Sequence, residues 1–153
     1  MPEIGQQAPD FELLNQEGKA VKLSDYRGKK VVIFAYPAAF TGGCTTQACG
    51  FRDSYPQVET ANAVVLGLSP DDVQKLHDWK EAEKLPYDLL SDPDHKVLEE
   101  WGAWGEKNNY GKKSIGVIRS HWVIDENGKV VDTQIKVSPE ASVERALISI
   151  GGK

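Results

Sequence analysis

The chain's only two cysteines, Cys44 and Cys49, have the most evident chemistry in the sequence. They lie in the stretch YPAAFTGGCTTQACGFRD, where Cys44 follows an apolar run, a proline and the residues TGG. This order places Cys44 near the first turn of a helix. The unpaired N–H groups and the positive dipole end of a helix N-terminus stabilise a thiolate over a thiol. We therefore interpret Cys44 as a candidate nucleophile rather than as a small buried apolar residue.

The spacing of the two cysteines restricts what they can do together. Five positions along an α-helix separate two Cα atoms by about 8.6 Å, whereas a disulfide needs roughly 4.4 to 6.8 Å. The two sulfurs therefore cannot bond while the helix is intact. Either Cys49 is unrelated to Cys44, or the first turns of the helix unwind during a reaction. Gly42, Gly43 and Gly50 lower the helix propensity of this segment and make unwinding plausible.

Thr41 and Pro37, which precede Cys44 in the sequence, each have two interpretations. The Thr41 hydroxyl either caps the helix, which the sequence slightly favours, or positions an oxygen substrate beside the sulfur. Pro37 either shields a thiolate from water or only ends the preceding strand.

Arg119 is the cation that stands out, because it lies inside the apolar run VIRSHWVID. An arginine in a buried strand is costly unless it is paired or functional. It either reaches solvent or an acidic partner, or it faces Cys44 and directs its donors toward a thiolate and a bound oxygen species. Strand alternation alone does not separate these possibilities. Arg52 is a second candidate, for which pairing with an acid such as Asp53 is the favoured interpretation.

A metal site is not expected from the cysteine and histidine pattern. Structural zinc takes four ligands, usually in closely spaced pairs, and His77, His95 and His121 show no paired spacing. We interpret His121 as a strand residue and the other two as residues on helix surfaces.

Composition indicates a globular protein that does not bind nucleic acid. The 153 residues are 40% hydrophobic and 27% charged, which fits one domain spanning 1–153. A net charge of -5 argues against a nucleic-acid partner. The longest apolar runs are too short to span a membrane, and the N-terminus has no secretory pattern, so we expect a cytoplasmic location.

The elements predicted around the cysteines alternate between strands and helices. The first part reads as a short hairpin, a buried strand at 29–37, a helix that is bent or broken near Pro56, and a second buried strand at 62–70. The second part begins with a helix (PDDVQKLHDWKEAEK), a short strand (YDLLSD) and a short helix (within DPDHKVLEEWGAWG). A loop (EKNNYGKKS) and one long strand (IGVIRSHWVID) follow. The chain then forms a hairpin turn (ENGK), a returning strand (KVVDTQIKV) and a final helix capped by Ser138. This order predicts an α/β, thioredoxin-like fold: a central mixed β-sheet flanked by helices, with an N-terminal β-hairpin extension. In such sheets, sites lie beyond the carboxyl end of a strand, where Cys44 falls.

Several motifs, in order, resemble those of one family. PAAFTGGC resembles the P-x-x-x-T-x-x-C motif of the peroxiredoxins, and IGVIRSHWVIDENGKV resembles the segment with their active-site arginine. CTTQACGFRD, with a second cysteine five positions on, is similar to the bacterioferritin comigratory protein or PrxQ branch. The resemblance covers nearly the whole chain.

The resemblance implies a role for each candidate residue. Cys44 would be the peroxidatic cysteine, and Cys49 the resolving cysteine that forms an intramolecular disulfide with it. Thr41, Pro37 and Arg119 would complete the peroxide pocket. Hydrogen peroxide and organic hydroperoxides would be the substrates and a thioredoxin-type dithiol the reductant, without a cofactor or metal, and the protein would be a monomer.

The chain departs from the branch at two places: it has Thr41-Gly42-Gly43-Cys44 where relatives often have T-P-G-C, and Arg119-Ser120-His121-Trp122 where they commonly have R-x-T-F. These departures bear on how readily the first helical turn unwinds and on which bulky peroxides fit. Two alternative functions stay open. One is a thioredoxin-like disulfide oxidoreductase, which uses a C-x-x-C motif, and the other is a non-enzymatic thioredoxin-fold module.

Overall fold

In the computed structural model, which describes residues 2–109 and 111–151, two long apolar runs form the centre of a seven-stranded sheet. The strands are β1 (Glu12–Asn15), β2 (Ala20–Lys22), β3 (Lys30–Ala35), β4 (Ala63–Ser69), β5 (Asp88–Ser91), β6 (Trp104–Asn109), β7 (Lys112–Val117), β8 (Ser120–Ile124) and β9 (Val130–Ile135). The helices are α1 (Gly42–Asp53), α2 (Tyr55–Thr60), α3 (Val73–Glu83), α4 (Lys96–Glu100) and α5 (Pro139–Ile150), with a 3₁₀ helix at Leu23–Tyr26.

The strand order in the large sheet is β2-β1-β5-β4-β3-β8-β9. β3, β4 and β5 pair in parallel, and every other pairing in this sheet is antiparallel. The expected mixed sheet with an N-terminal hairpin is therefore confirmed, and the hairpin continues the sheet beyond β5.

Alternation along β3 divides the hydrophobic interior into two layers. Val31 and Ile33 face a cluster that contains Trp101 and Trp122. Val32 and Phe34 face a second cluster, in which residues of α1, α3 and α5 pack over the sheet. Cys44 belongs to this second cluster. Burial of both faces explains why the sequence of β3 is continuously apolar instead of alternating.

The helix that contains the cysteines is broken where proline predicts it. α1 ends at Asp53, and α2 begins at Tyr55 with Pro56 in its first turn. Proline is tolerated there because the first N–H groups of a helix have no intrahelical partner. The expected Ser138 cap is also present, since the Ser138 hydroxyl accepts a hydrogen bond from the Ala141 N–H at 3.3 Å.

Two elements differ from the sequence-based prediction. The segment EKNNYGKKS was expected to be a loop, but β6 and β7 form an antiparallel hairpin across it, with Lys107 opposite Ser114. Much of β7 is exposed, so its sequence lacks the apolar alternation that indicates a strand. Tyr110 lies outside the described residues.

The run IGVIRSHWVID was expected to be one strand, but β7 ends at Val117 and β8 begins at Ser120. The backbone changes partners at this break. The Ile118 N–H donates to the Ala103 carbonyl at 2.7 Å, whereas the Arg119 carbonyl accepts from the Val137 N–H at 2.9 Å. The chain thus leaves the hairpin and enters the central sheet at these two residues. Arg119 lies in the break, so strand alternation does not set the direction of its side chain.

Within the part of the chain that the structure describes, we find no helix with the length and apolar character needed to cross a bilayer.

Candidate active site

The carboxyl end of β3 and the beginning of β8 lie side by side, because Ala35 pairs with Ser120 in antiparallel register. The chain after β3 passes through Pro37 and enters α1, so Cys44 lies just beyond this edge of the sheet. The break before β8 places Arg119 at the same edge. Sheet register therefore brings together two residues that are 75 positions apart in the sequence.

Cys44 and Arg119 are in direct contact. The Cys44 side chain is only 1% exposed, and its Sγ accepts a hydrogen bond from Arg119 Nη2 at 3.4 Å. A guanidinium can only donate, so this contact places positive charge beside the sulfur. The sulfur also lies in the first turn of α1, where the helix dipole acts in the same direction. Of the two interpretations of Arg119, the structure favours the one in which it faces Cys44.

The loop before α1 is held by a buried carboxylate. Asp71 accepts a hydrogen bond from the Ala39 N–H at 2.8 Å and one from the Ser69 hydroxyl at 3.0 Å. Phe40 follows with a left-handed φ of 65°, which a non-glycine residue adopts only when its surroundings impose it. The loop thus reaches α1 in one defined geometry.

Thr41 is the N-cap residue of α1, but its hydroxyl does not cap the helix. The hydroxyl donates to the Ala38 carbonyl at 2.8 Å, and the Thr41 carbonyl accepts the first intrahelical bond from Thr45. The expected side-chain cap is therefore wrong. Because the hydroxyl proton is used by Ala38, the oxygen is left as an acceptor at the exposed start of the helix.

Pro37 and Arg119 border a surface cleft of about 510 Å³. The other lining residues belong to the β6–β7 hairpin, the break before β8 and the segment that leads into α5: Glu106, Lys107, Asn108, Val117, Ile118, Lys136, Val137 and Ser138. The hairpin that the sequence did not predict thus forms one wall of this cleft. A small molecule in the cleft would contact Arg119, whose guanidinium is hydrogen-bonded to Cys44, whereas Cys44 itself does not line the cleft.

Cys49 lies in the same helix, and both cysteines are free thiols. Cys49 is half-buried, and its Sγ contacts Glu83 Oε2 at 3.8 Å. Burial raises the pKa of the Cys49 thiol above its ordinary value, the Glu83 carboxylate raises it further, and Arg52 opposes this effect. Because α1 is a continuous helix from Gly42 to Asp53, the two sulfurs cannot bond in this state.

Arg52 does not reach Cys44. Its guanidinium pairs with Asp53 at 3.0 Å and donates to the Glu83 carbonyl at 2.8 Å. Pairing with an acid was the interpretation that the sequence favoured.

The three histidines lie apart from one another. His77 on α3 is 3.4 Å from Glu81, and His95 at the start of α4 is 3.0 Å from Glu99. His121 is fully buried on β8.

Sequence reasoning missed Gln47, which holds the other side of the Arg119 guanidinium. Gln47 Oε1 accepts from Arg119 Nη1 at 2.8 Å, and the side chain is fully buried. The available signal was its position three residues after Cys44, since residues three apart share one face of a helix.

The short distance between the Arg119 guanidinium and the start of α1 explains why residue 43 is a glycine. A Cβ atom on Gly43 would lie 3.0 Å from Arg119 Nη2, whereas a Cβ on Gly42 would meet no atom within 4 Å. The absent side chain at position 43 is therefore what lets the guanidinium approach the helix start.

Comparisons with known proteins agree with these features. The family model described as the AhpC/TSA family matches residues 4–133. The chain is 45% identical to Peroxiredoxin Bcp of Bacillus subtilis over 145 residues, which cover 95% of this chain and 92% of that protein. Peroxidoxin BcpB of Mycobacterium tuberculosis has a similar structure, with a TM-score of 0.88 and 34% identity over 99% of this chain and 98% of the other. The bacterioferritin comigratory protein of Xanthomonas campestris, a structure described for its alkyl peroxide reduction activity, has a TM-score of 0.89 and 27% identity over 98% of both chains.

Proposed function

The chain belongs to the AhpC/TSA family, as a peroxiredoxin of the Bcp/PrxQ branch, and we propose that it reduces peroxides through a sulfenic acid at Cys44. The observation that supports this most is the hydrogen bond from Arg119 to the buried Cys44 sulfur at the start of α1. It places a fixed positive charge where a thiolate must form and where a peroxide must be polarised.

The first step of the proposed reaction is attack of the Cys44 thiolate on the terminal peroxide oxygen. The O–O bond breaks, Cys44 is oxidised to a sulfenic acid, and the other oxygen leaves as water or an alcohol after it takes a proton. Arg119 stabilises the negative charge that develops on the leaving oxygen. The Thr41 oxygen is a candidate acceptor for the peroxide proton, and Pro37 keeps water from one side of the sulfur.

The second step joins the two cysteines. Cys49 attacks the Cys44 sulfenic acid, water leaves, and an intramolecular disulfide forms. A thioredoxin-type dithiol then reduces this disulfide by thiol–disulfide exchange and becomes oxidised itself. Cys44 and Cys49 are the redox centre, and no cofactor or metal is required for any step.

Both hydrogen peroxide and organic hydroperoxides are proposed substrates. The cleft of about 510 Å³ beside Arg119 leaves room for an organic group next to the reacting oxygens. The reported alkyl peroxide reduction of the Xanthomonas relative is consistent with this proposal. The cytoplasmic location and the monomeric state stay predictions.

A coupled assay tests the proposed function. The reduced protein, with thioredoxin and its reductase, should consume hydrogen peroxide and an organic hydroperoxide in proportion to protein concentration. Disulfide reduction without peroxide consumption would indicate the disulfide oxidoreductase instead, and absence of both activities would favour the non-enzymatic module.

The contact between Arg119 and Cys44 predicts that Gly43→Ala slows the reaction with peroxide by up to about tenfold. The new methyl group would lie 3.0 Å from Arg119 Nη2, so the guanidinium must shift by a few tenths of an ångström; complete loss of its hydrogen bond to Cys44 would cost roughly 1 to 1.5 kcal/mol and sets the upper bound. Gly42→Ala is the matched control, because it makes the same change one residue earlier, in open space. Stopped-flow measurement of Cys44 oxidation checks both variants, and equal rates would contradict the proposed role of Arg119.

Disulfide formation predicts local unwinding of α1. Amide exchange over residues 42–50 should be at least about tenfold faster in the disulfide form, because that disulfide cannot span an intact helix. Ala48 and Phe51 are fully buried, whereas Gly42 and Gly43 are exposed, so unwinding should begin at the N-terminal end. Residues 139–150 of α5 serve as the internal reference. Equal protection of residues 42–50 in the reduced and disulfide forms would exclude this mechanism.

A further inference from the structure

A chain of hydrogen-bonded side chains continues from Arg119 into the interior. Gln47, which accepts from Arg119, donates from its amide Nε2 to Ser142 Oγ at 2.9 Å. Ser142 Oγ lies 2.8 Å from His121 Nδ1, and His121 Nε2 lies 2.9 Å from Asp132 Oδ2. The chain thus joins the guanidinium beside Cys44 to a carboxylate on β9 through residues of α1, α5 and β8.

The middle of this chain is inaccessible to water. Gln47, Ser142 and His121 are each 0% exposed. Polar side chains in such positions are costly unless their donors and acceptors are paired. Each of these three has a partner on both sides, so a change in one member alters the pairing of the next.

The direction of the hydrogen bonds between Arg119 and Ser142 follows from Arg119. A guanidinium can only donate, so Gln47 must turn its oxygen toward Arg119 and its NH₂ group toward Ser142. The Ser142 oxygen therefore accepts, and its own proton is available for donation to Nδ1 of the imidazole.

The other end of the chain sets the role of Nε2, because the Asp132 carboxylate can only accept and the nitrogen beside it must carry a proton. If Nδ1 accepts, the ring proton is on Nε2, from which it is donated to Asp132, and the imidazole is neutral. Burial lowers the pKa of His121 below its ordinary value of 6.5, although the Asp132 carboxylate opposes this effect. The neutral form is therefore the one expected at neutral pH.

We propose that neutral His121, acting through Ser142 and Gln47, is a positioning residue that holds the Arg119 guanidinium against the Cys44 sulfur. A proton on Nδ1 would make the imidazole a donor toward Ser142. The serine oxygen would then receive two donors, and its own proton would lose its acceptor in a fully buried site. The Gln47 amide would lose its fixed orientation, and Arg119 would be held less firmly.

The charged groups around His121 lie on two elements. Asp132 faces it from β9 and raises its pKa, and Arg145 on α5 lowers it. Because the folded pKa lies below 6.5, the unfolded chain binds more protons in the window just below that value. The His121 contribution to stability is therefore complete above pH 6.5 and is lost as the pH falls through this window.

Two serine-to-alanine variants in the same helix test the proposal. Ser142→Ala removes the hydrogen bonds to Gln47 and to His121, and it should slow the reaction of Cys44 with peroxide about tenfold because Gln47 then loses the partner that fixes its orientation toward Arg119. It should also move the appearance of thiolate absorbance to higher pH when measured in a Cys49→Ser background. Ser149→Ala is the control: Ser149 touches the same Asp132 carboxylate at 3.3 Å but lies outside the chain to Arg119. It should change the rate by less than about twofold. Equal effects of the two variants would overturn the proposal.

A second test needs no variant at the buried site. Nitrogen-15 NMR of the His121 ring in the wild-type protein should show the neutral tautomer with its proton on Nε2 at pH 7. A proton on Nδ1 at that pH would overturn the proposal, whatever the variants do.

A third test replaces the imidazole itself. His121→Asn offers a non-titrating oxygen in place of Nδ1, so the peroxide rate of this variant should fall less steeply than that of the wild type below pH 6. An identical decline in the two proteins would also overturn the proposal.

The kinetic measurements rest on the proposed function, but the NMR and thiolate measurements do not. If the wild-type protein consumed no peroxide, the proposed function would fail while these two measurements still tested the chain. If Cys44 were required for turnover but Ser142→Ala behaved like Ser149→Ala, only the positioning role would fail.

Discussion

Replacing Cys44 with serine is expected to abolish peroxide turnover, with a loss of at least about a thousandfold, or roughly 4 kcal/mol of transition-state stabilisation. A serine hydroxyl stays protonated near neutral pH and is not oxidised by peroxide, so neither Arg119 nor the helix dipole can make it a substitute nucleophile. The measurement is thioredoxin-coupled consumption of hydrogen peroxide by the purified variant.

Two controls accompany the Cys44→Ser variant. Its thermal unfolding should stay close to that of the wild type, because the serine oxygen can still accept the hydrogen bond from Arg119. Cys49→Ser makes the same chemical change five residues later and should have a different effect. Turnover by a folded Cys44→Ser protein at the wild-type rate would refute the proposed function.

Replacing Cys49 with serine is expected to separate the two steps of the reaction. The variant should react with one equivalent of peroxide at close to the wild-type rate, because Cys49 takes no part in the first step. Its thioredoxin-dependent turnover should fall by about a hundredfold or more, because no disulfide can form for the dithiol to attack. Mass spectrometry after one equivalent of peroxide should find one added oxygen in the variant and, in the wild type, loss of two hydrogens with both cysteines in one linked peptide.

The wild-type protein should also show a pH dependence that the variant lacks. The raised pKa of Cys49 favours its thiol form at neutral pH, so we expect Cys44 alone to act as the nucleophile toward peroxide. Disulfide formation takes place after α1 unwinds and needs the Cys49 thiolate, whose fraction grows as the pH rises. The rate of the second step, followed by rapid quenching and mass spectrometry, should therefore increase between pH 6 and pH 9. Unchanged coupled turnover in Cys49→Ser would show that Cys49 does not resolve the sulfenic acid.

Local signals in the sequence predicted most of the fold. The continuous apolar runs of β3 and β4 indicated buried strands, and Pro56 indicated the break between α1 and α2. Each of these features depends on residues that are close together in the chain. The β6–β7 hairpin was missed because it lies outside the central sheet and much of β7 is exposed, so no apolar alternation marks it.

The region around Arg119 shows the limit of such signals. Alternation assumed a continuous strand through this residue, but the backbone changes partners at Ile118 and Arg119. The direction of the side chain is set by that change and by the pairing of Ser120 with Ala35. Neither can be derived from the order of apolar and polar residues in the segment.

Local sequence was enough to propose Cys44 and Cys49 as the reactive pair and to derive the geometric constraint between them. Cys44 at a helix start and Cys49 five positions later are local features, and helix geometry is enough to show that they need an unwound helix to bond. The surroundings of Cys44, in contrast, could be seen only in the folded chain. Arg119, Gln47, Ser142 and His121 come from distant parts of the chain. They meet because sheet register and the packing of α1 against α5 place them together, and no local pattern encodes contacts of that kind.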